Sequence, residues 1–164
     1  MIVVSDAGPL IHLSLIGALD LLSGLHGRIL IPDLVYGEVV QAGAGLAGSI
    51  EVAKADWIEV VEHDPESDLF HLLRTQLDAG EAAAIWLSVQ RKAEWFLSDD
   101  RQARVAAEAL GFRVRGSLGV LAEAKRGGLL PAVAPLLRQL QDHGVWLAED
   151  LIAKVLRDLE ESSE

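Results

Sequence analysis

The sequence predicts an α/β protein, a three-layer α/β/α sandwich around a mostly parallel sheet of about four to five strands, with a helical C-terminal extension. Three observations carry this. Short β-branched or aromatic runs alternate with longer stretches of helical apolar spacing, which implies parallel pairing through right-handed crossovers. The 164 residues are 51% hydrophobic, enough for one domain to bury a full core. After residue 114 the pattern is helical only.

The elements follow in order. Ile2-Val3-Val4 reads as a compact strand, and Pro9–Leu22 as a helix with proline near its start. Arg28–Ile31 is a second strand and Pro32–Gln41 a second helix. Gly43–Gly48 is a glycine-rich loop, and Trp57–Val61 alternates like a strand. Asp64-Pro65 reads as a helix start, with Asp as N-cap and Pro at the first helical position. Gly80–Arg91 is helical, Trp95–Leu97 a short buried strand, and Arg101–Leu110 a helix stopped by Gly111. Phe112–Val114 is the last strand; Leu118–Lys125, Ala132–Asp142 and Ala148–Leu159 are helices.

Composition narrows the chemistry. The absence of cysteine excludes disulfides, thiolate zinc sites and a cysteine nucleophile. The start of the chain has no basic stretch and no small-residue cleavage site, and the uncharged run Ala7–Leu19 is too short to span a membrane. The expectation is a soluble cytoplasmic protein. A net charge of −11 argues against coating a nucleic-acid backbone, yet residues 91–126 hold eight Lys/Arg against five acids.

Ligands of such sheets bind beyond the carboxyl ends of the strands, at a topological switch point. Asp6 follows the first strand, and Asp99 and Asp100 follow the Trp95–Ser98 strand. Glu38 lies about two turns into the second helix, and Glu81 in the first turn of the Gly80 helix. Taken singly, each acid has a plain reading. Asp6 caps a helix, Glu38 is a solvated helix residue, Asp78 and Glu81 form a capping box, and Asp99 or Asp100 caps the next helix. Taken together, they put acids from four segments on one edge. Converging carboxylates repel one another and raise their own pKa values, a penalty that a divalent cation removes. Oxygen-only donors suit Mg²⁺ or Mn²⁺.

These stretches resemble the motifs of the PIN-domain family of metal-dependent ribonucleases. Val3-Val4-Ser5-Asp6-Ala7-Gly8-Pro9-Leu10 resembles the first motif, and Ile31-Pro32-Asp33-Leu34-Val35-Tyr36-Gly37-Glu38-Val39 the second. Leu77-Asp78-Ala79-Gly80-Glu81-Ala82-Ala83-Ala84-Ile85 resembles the third, and Leu97-Ser98-Asp99-Asp100-Arg101 the fourth. Order and spacing match over about residues 2–120, and Gly116-Ser117-Leu118-Gly119-Val120-Leu121 resembles a prokaryotic PIN-like subgroup. The resemblance implies a PIN-like catalytic domain over 1–125, with a helical extension over 126–164 packed on it. It implies an endoribonuclease whose Asp6, Glu38, Glu81 and Asp100, or Asp99, hold Mg²⁺ or Mn²⁺, with Ser98 in the family's hydroxyl position. The third acid departs from the pattern, being Glu81 where the family usually has Asp. Many relatives are toxins of VapC type paired with an antitoxin, so an RNA substrate and an antitoxin partner are expected. The alternative is a non-catalytic PIN-like module that binds a partner protein or RNA.

Other signals weigh less. Gly43-Ala-Gly45-Leu-Ala-Gly48 matches G-x-G-x-x-G, but a helix end precedes it where a dinucleotide site needs a strand. The five histidines are scattered. A receiver-type phospho-acceptor domain lacks its isolated acceptor Asp and its late Lys here. The tryptophans fall mostly on apolar faces and read as core. Arg101 and Arg104 follow the fourth-motif acids and are the candidate contacts to RNA phosphate. The apolar C-terminal helices suggest a homodimer or higher oligomer.

Overall fold

The structure, a computed structural model, describes residues 1–161. Five strands form one wholly parallel sheet: β1 (Val3–Ser5), β2 (Ile29–Pro32), β3 (Ile58–Val61), β4 (Trp95–Leu97) and β5 (Arg113–Arg115), in the order β3-β2-β1-β4-β5. The chain runs outward from β1 to β3, then returns to lay β4 on the other side of β1. The switch point is therefore the gap between the carboxyl ends of β1 and β4. Register across that gap pairs Val3 with Trp95, Val4 with Phe96 and Ser5 with Leu97. The Asp6 N–H extends it by donating to the Leu97 carbonyl at 3.0 Å.

The helices are α1 (Ala7–Leu15), α2 (Leu21–His26), α3 (Asp33–Tyr36), α4 (Ser49–Lys54), α5 (Asp68–Arg74), α6 (Ala79–Arg91), α7 (Arg101–Ala109), α8 (Ser117–Arg126), α9 (Ala134–Asp142) and α10 (Glu149–Asp158). Helix α6 covers β1 and β2, with α5 and α7 beside it, while α1, α2 and α8 pack together. Central strands covered by helices read as continuous apolar runs, and Val3, Val4, Ile29, Ile31, Phe96 and Leu97 are wholly buried. Leu137, Leu140, Leu156 and Leu159 of the last two helices join the same core. Among the described residues no helix is long and apolar enough to cross a membrane.

Several expectations need correction. The helix expected over Pro9–Leu22 is two, α1 and α2, because the chain turns at Gly17, whose φ is 65°. Asp64-Pro65 does not begin a helix. Asp64 instead accepts the Glu66 N–H at 2.9 Å in a turn, and α5 starts later with Ser67 accepting the Phe70 N–H at 3.2 Å. The segment Pro32–Gln41 begins as α3 and widens into a π-helical turn over Gly37–Ala42. The glycine-rich stretch is a loop as expected, but it leads directly into the unforeseen α4. Trp86 is buried, whereas Trp146 is 82% exposed and belongs to no core.

Candidate active site

Asp6 anchors the site. Its backbone is fixed as the continuation of β1, its residue is only 3% exposed, and Oδ1 has no hydrogen-bond partner among the described residues. Burial pushes its carboxyl well above the usual aspartate range. The Ser98 hydroxyl and the Gly8 N–H oppose this, while the charges of Asp99 and Glu81 reinforce it.

Glu38 comes from the π-helical turn after α3, a geometry that recurs at functional sites. Partial burial raises its pKa and the Asp78 charge adds to the rise. It lies against the start of α6, where a Cβ on Gly80 would stand 2.9 Å from Glu38 Oε1. Glu81 occupies the first turn of α6. Its Oε1 accepts the Asp78 N–H at 3.2 Å while its own N–H donates to Asp78 Oδ1 at 2.8 Å. Burial, the charges of Asp78 and Asp100, and a hydrogen bond with Asp100 outweigh that backbone bond and push Glu81 up to about 7. The capping box is real, and so is the place in the cleft.

After β4 the two neighbouring aspartates diverge. Asp100 caps α7, accepting the Ala103 N–H at 2.9 Å, and its own N–H donates to Ser98 Oγ at 3.1 Å. Asp99 serves a different neighbourhood. Its Oδ1 accepts the Ser117 N–H at 2.7 Å, and its Oδ2 meets the Ser117 hydroxyl and, at 2.8 Å, His12 Nδ1. Burial pushes Asp99 up, but His12 and Ser117 together outweigh it and hold its carboxyl below the usual range.

One cleft of about 200 Å³ gathers Asp6, Glu38, Asp78, Glu81 and Asp100, with Ala7, Gly8 and Ile11 as its small and apolar wall. The expected acids Asp6, Glu38, Glu81 and Asp100 thus converge. Ser98 is wholly buried beneath them. Asp99 does not line this cleft; it lines the next one. Arg101 and Arg104 line neither wall of the acidic cleft: Arg101 flanks Thr75 and Gln76, and Arg104 lies with His12 and Trp95. Sequence reasoning missed Asp78 as a cleft residue. The spacing that marked it as a helix cap was the available signal.

Among the described residues no three acids or histidines stand close enough to form a ready-made metal cage. The donors nevertheless fit a hard divalent cation. They are all oxygen, one buried Asp6 oxygen lacks a partner among the described residues, and burial, reinforced by the charges of Asp78 and Asp100, pushes Glu81 up to about 7. Mg²⁺ keeps several waters and needs only one or two carboxylates, so it does not require a closed cage.

The comparisons with known proteins bear on the family and the fold. A PIN-domain family, DUF3368, matches residues 2–161. Among solved structures, a PilT N-terminus domain protein from the hyperthermophilic archaeon Sulfolobus solfataricus P2 superposes with a TM-score of 0.53 at 18% identity, over 76% of this chain and 93% of that one. At that identity the likeness speaks for the fold alone. No curated protein matches the sequence. A family match that runs from residue 2 to residue 161, on a chain that folds around a five-stranded parallel sheet, shows that the chain belongs to the PIN-domain family and has its nuclease-type fold.

Proposed function

We propose that the protein is a Mg²⁺- or Mn²⁺-dependent endoribonuclease. The observation that carries this is the shared cleft of Asp6, Glu38, Glu81 and Asp100, in which a buried Asp6 oxygen lacks a partner. These four residues would hold the cation. When bound, it supplies a Lewis acid for the phosphodiester and a water of lowered pKa as nucleophile. The chain supplies placement. Asp6 is fixed by β1 and by its N–H bond to Leu97, and Asp100 by its cap on α7. Ser98 receives the Asp100 N–H and sits beside the Asp6 carboxyl, which ties the two strand ends together. Hydrolysis would leave a 3′-hydroxyl and a 5′-phosphate, without a protein nucleophile.

The test is cleavage of RNA with and without Mn²⁺. The expected result is cleavage that EDTA stops and that Asp6→Asn abolishes; cleavage indifferent to both overturns the reading. Failure to bind millimolar Mn²⁺ by calorimetry would instead favour a non-catalytic module. Among the described residues no cationic side chain lines the cleft, so it also suits an inhibitory partner that inserts an Arg or Lys. That is the arrangement of a toxin with its antitoxin.

A further inference from the structure

A second cleft of about 500 Å³ adjoins the acidic one and has the opposite chemistry. It lies between β5, the start of α8 and the loop that joins α9 to α10. Arg104, Arg115 and Arg126 line it. Its two acids are already engaged: Asp99 by His12 and Ser117, and Glu123 by Arg115 at 3.7 Å and Arg126 at 3.6 Å. Three arginines face two acids, so the lining carries one positive charge in excess in a chain whose net charge is −11.

Its aromatic groups are arranged unequally. Trp95 is covered, with the Arg115 guanidinium carbon 4.0 Å from its ring centroid. Trp146, on the rim, is 82% exposed. An exposed indole in a cleft that arginines also line offers a stacking face together with phosphate donors, the combination that binds unstacked nucleotides. A duplex keeps its bases stacked inside, so this face selects single strands.

The two clefts are neighbours, Asp100 and Ile11 lining one and Asp99 and His12 the other. A Cβ on Gly116 would stand 2.7 Å from Asp99 Oδ1, 3.3 Å from the Ser98 carbonyl and 3.5 Å from an Arg104 nitrogen. The same Ser98–Asp100 turn faces Asp100 into the acidic cleft and Asp99 into this one. Arg104 stands beside this turn, on the side of the second cleft.

We infer that the second cleft seats the single-stranded RNA flanking the cleaved bond, with one base stacked on Trp146 and the adjoining phosphates on Arg104 and Arg126. The choice of RNA rests on the nuclease reading above. Stacking on Trp146 comes from this cleft alone.

The experiment is fluorescence anisotropy of a labelled oligouridine with the full chain, in EDTA so that no cleavage intervenes. Trp146→Ala should weaken binding about tenfold, and Trp146→Phe should restore most of it. Arg104→Ala with Arg126→Ala should weaken binding and lower the slope of log affinity against log salt by about 1.4. Trp146 touches no core, so its substitution leaves the fold intact. Absence of binding by the wild type, or unchanged affinity in both variants, overturns the inference. So does a Trp146→Ala protein that changes only from dimer to monomer by light scattering, which would make the surface an interface between copies. Binding that depends on Trp146 while no cleavage occurs with Mn²⁺ would sink the nuclease reading and leave this one standing.

Discussion

Asp78 and Glu81 exchange hydrogen bonds across the first turn of α6, each side chain accepting the other's backbone N–H, at 2.8 and 3.2 Å. The same two carboxylates line the acidic cleft. Helix capping and membership of the site are therefore one arrangement: the cap orients Glu81, and the helix N-terminus tolerates the crowded negative charge. Asp78→Ala removes the cap and should destabilise the protein by about 1 kcal/mol, whereas Asp78→Asn keeps an acceptor and should stay close to wild type. Urea unfolding of the three proteins checks this; equal losses for Ala and Asn would show that the charge, not the cap, stabilises α6.

Glu81 titrates at about 7, and Asp6 and Glu38 are raised as well. A carboxyl with a raised pKa holds its proton in the folded state after the unfolded chain has lost it. Stability without a cation should therefore fall as pH rises from about 4.5 to about 7. Thermal melts across that range should show the decline, Glu81→Gln should reduce it, and Mn²⁺ should offset it at the alkaline end. A flat Tm in this window, matched by the Gln variant, would contradict the burial and crowding of these acids.

The same competition sets the pH dependence of cation binding. Protons leave Glu81 when a cation takes their place, so Mn²⁺ affinity should rise between about pH 6 and pH 8, with proton release measurable as a buffer-dependent heat. Affinity constant over that range would place the cation elsewhere.

Much of this was legible in the sequence because strands and strand ends carry strong local signals. Ile29–Pro32 and Trp95–Leu97 are apolar runs that only a covered sheet accommodates, and Asp6 and Asp100 sit where such runs stop. What escaped notice depends on direction rather than pattern. Asp99 and Asp100 are adjacent, but they lie in the turn between β4 and α7, where Asp100 takes up the helix cap and faces the cleft while Asp99 meets Ser117, a divergence that no periodic pattern encodes. Asp64-Pro65 imitates a helix start that Ser67 takes instead. Trp146 has an apolar neighbourhood in sequence but lies in a loop between α9 and α10, where periodicity says nothing about burial.

Glu161 closes the C-terminal helices onto the domain. Its carboxylate accepts the N–H groups of Val133 and Ala134 at 2.9 and 3.0 Å and pairs with Lys125 Nζ at 2.7 Å. Burial pushes its pKa up, but these donors outweigh it and hold it below the usual glutamate value. The stabilisation is present above the unfolded-state pKa of 4.5 and is lost as pH falls through the lowered folded value. Glu161→Gln should lower the Tm at pH 7 and make progressively less difference as the solution is acidified; an equal deficit at both ends would mean that the carboxylate charge plays no part.

Gly80 is the position at which site and stability separate. A methyl group there would stand 2.9 Å from Glu38 Oε1 and 3.6 Å from a Val35 methyl. Glu38 is the far end of a flexible side chain, so it can yield while the backbone of α6 stays in place. Alanine is also the better helix former, and at the second residue of α6 its gain falls below the roughly 0.5–1 kcal/mol of a helix interior. Gly80→Ala should therefore keep or slightly raise the Tm while weakening Mn²⁺ binding and RNA cleavage, because it expels Glu38 from the position it shares with Asp78 and Glu81. Melting and Mn²⁺ calorimetry on the same preparation decide the matter. A variant that binds Mn²⁺ as the wild type does would remove Glu38 from the set of cation ligands and leave Asp6, Glu81 and Asp100 to hold it.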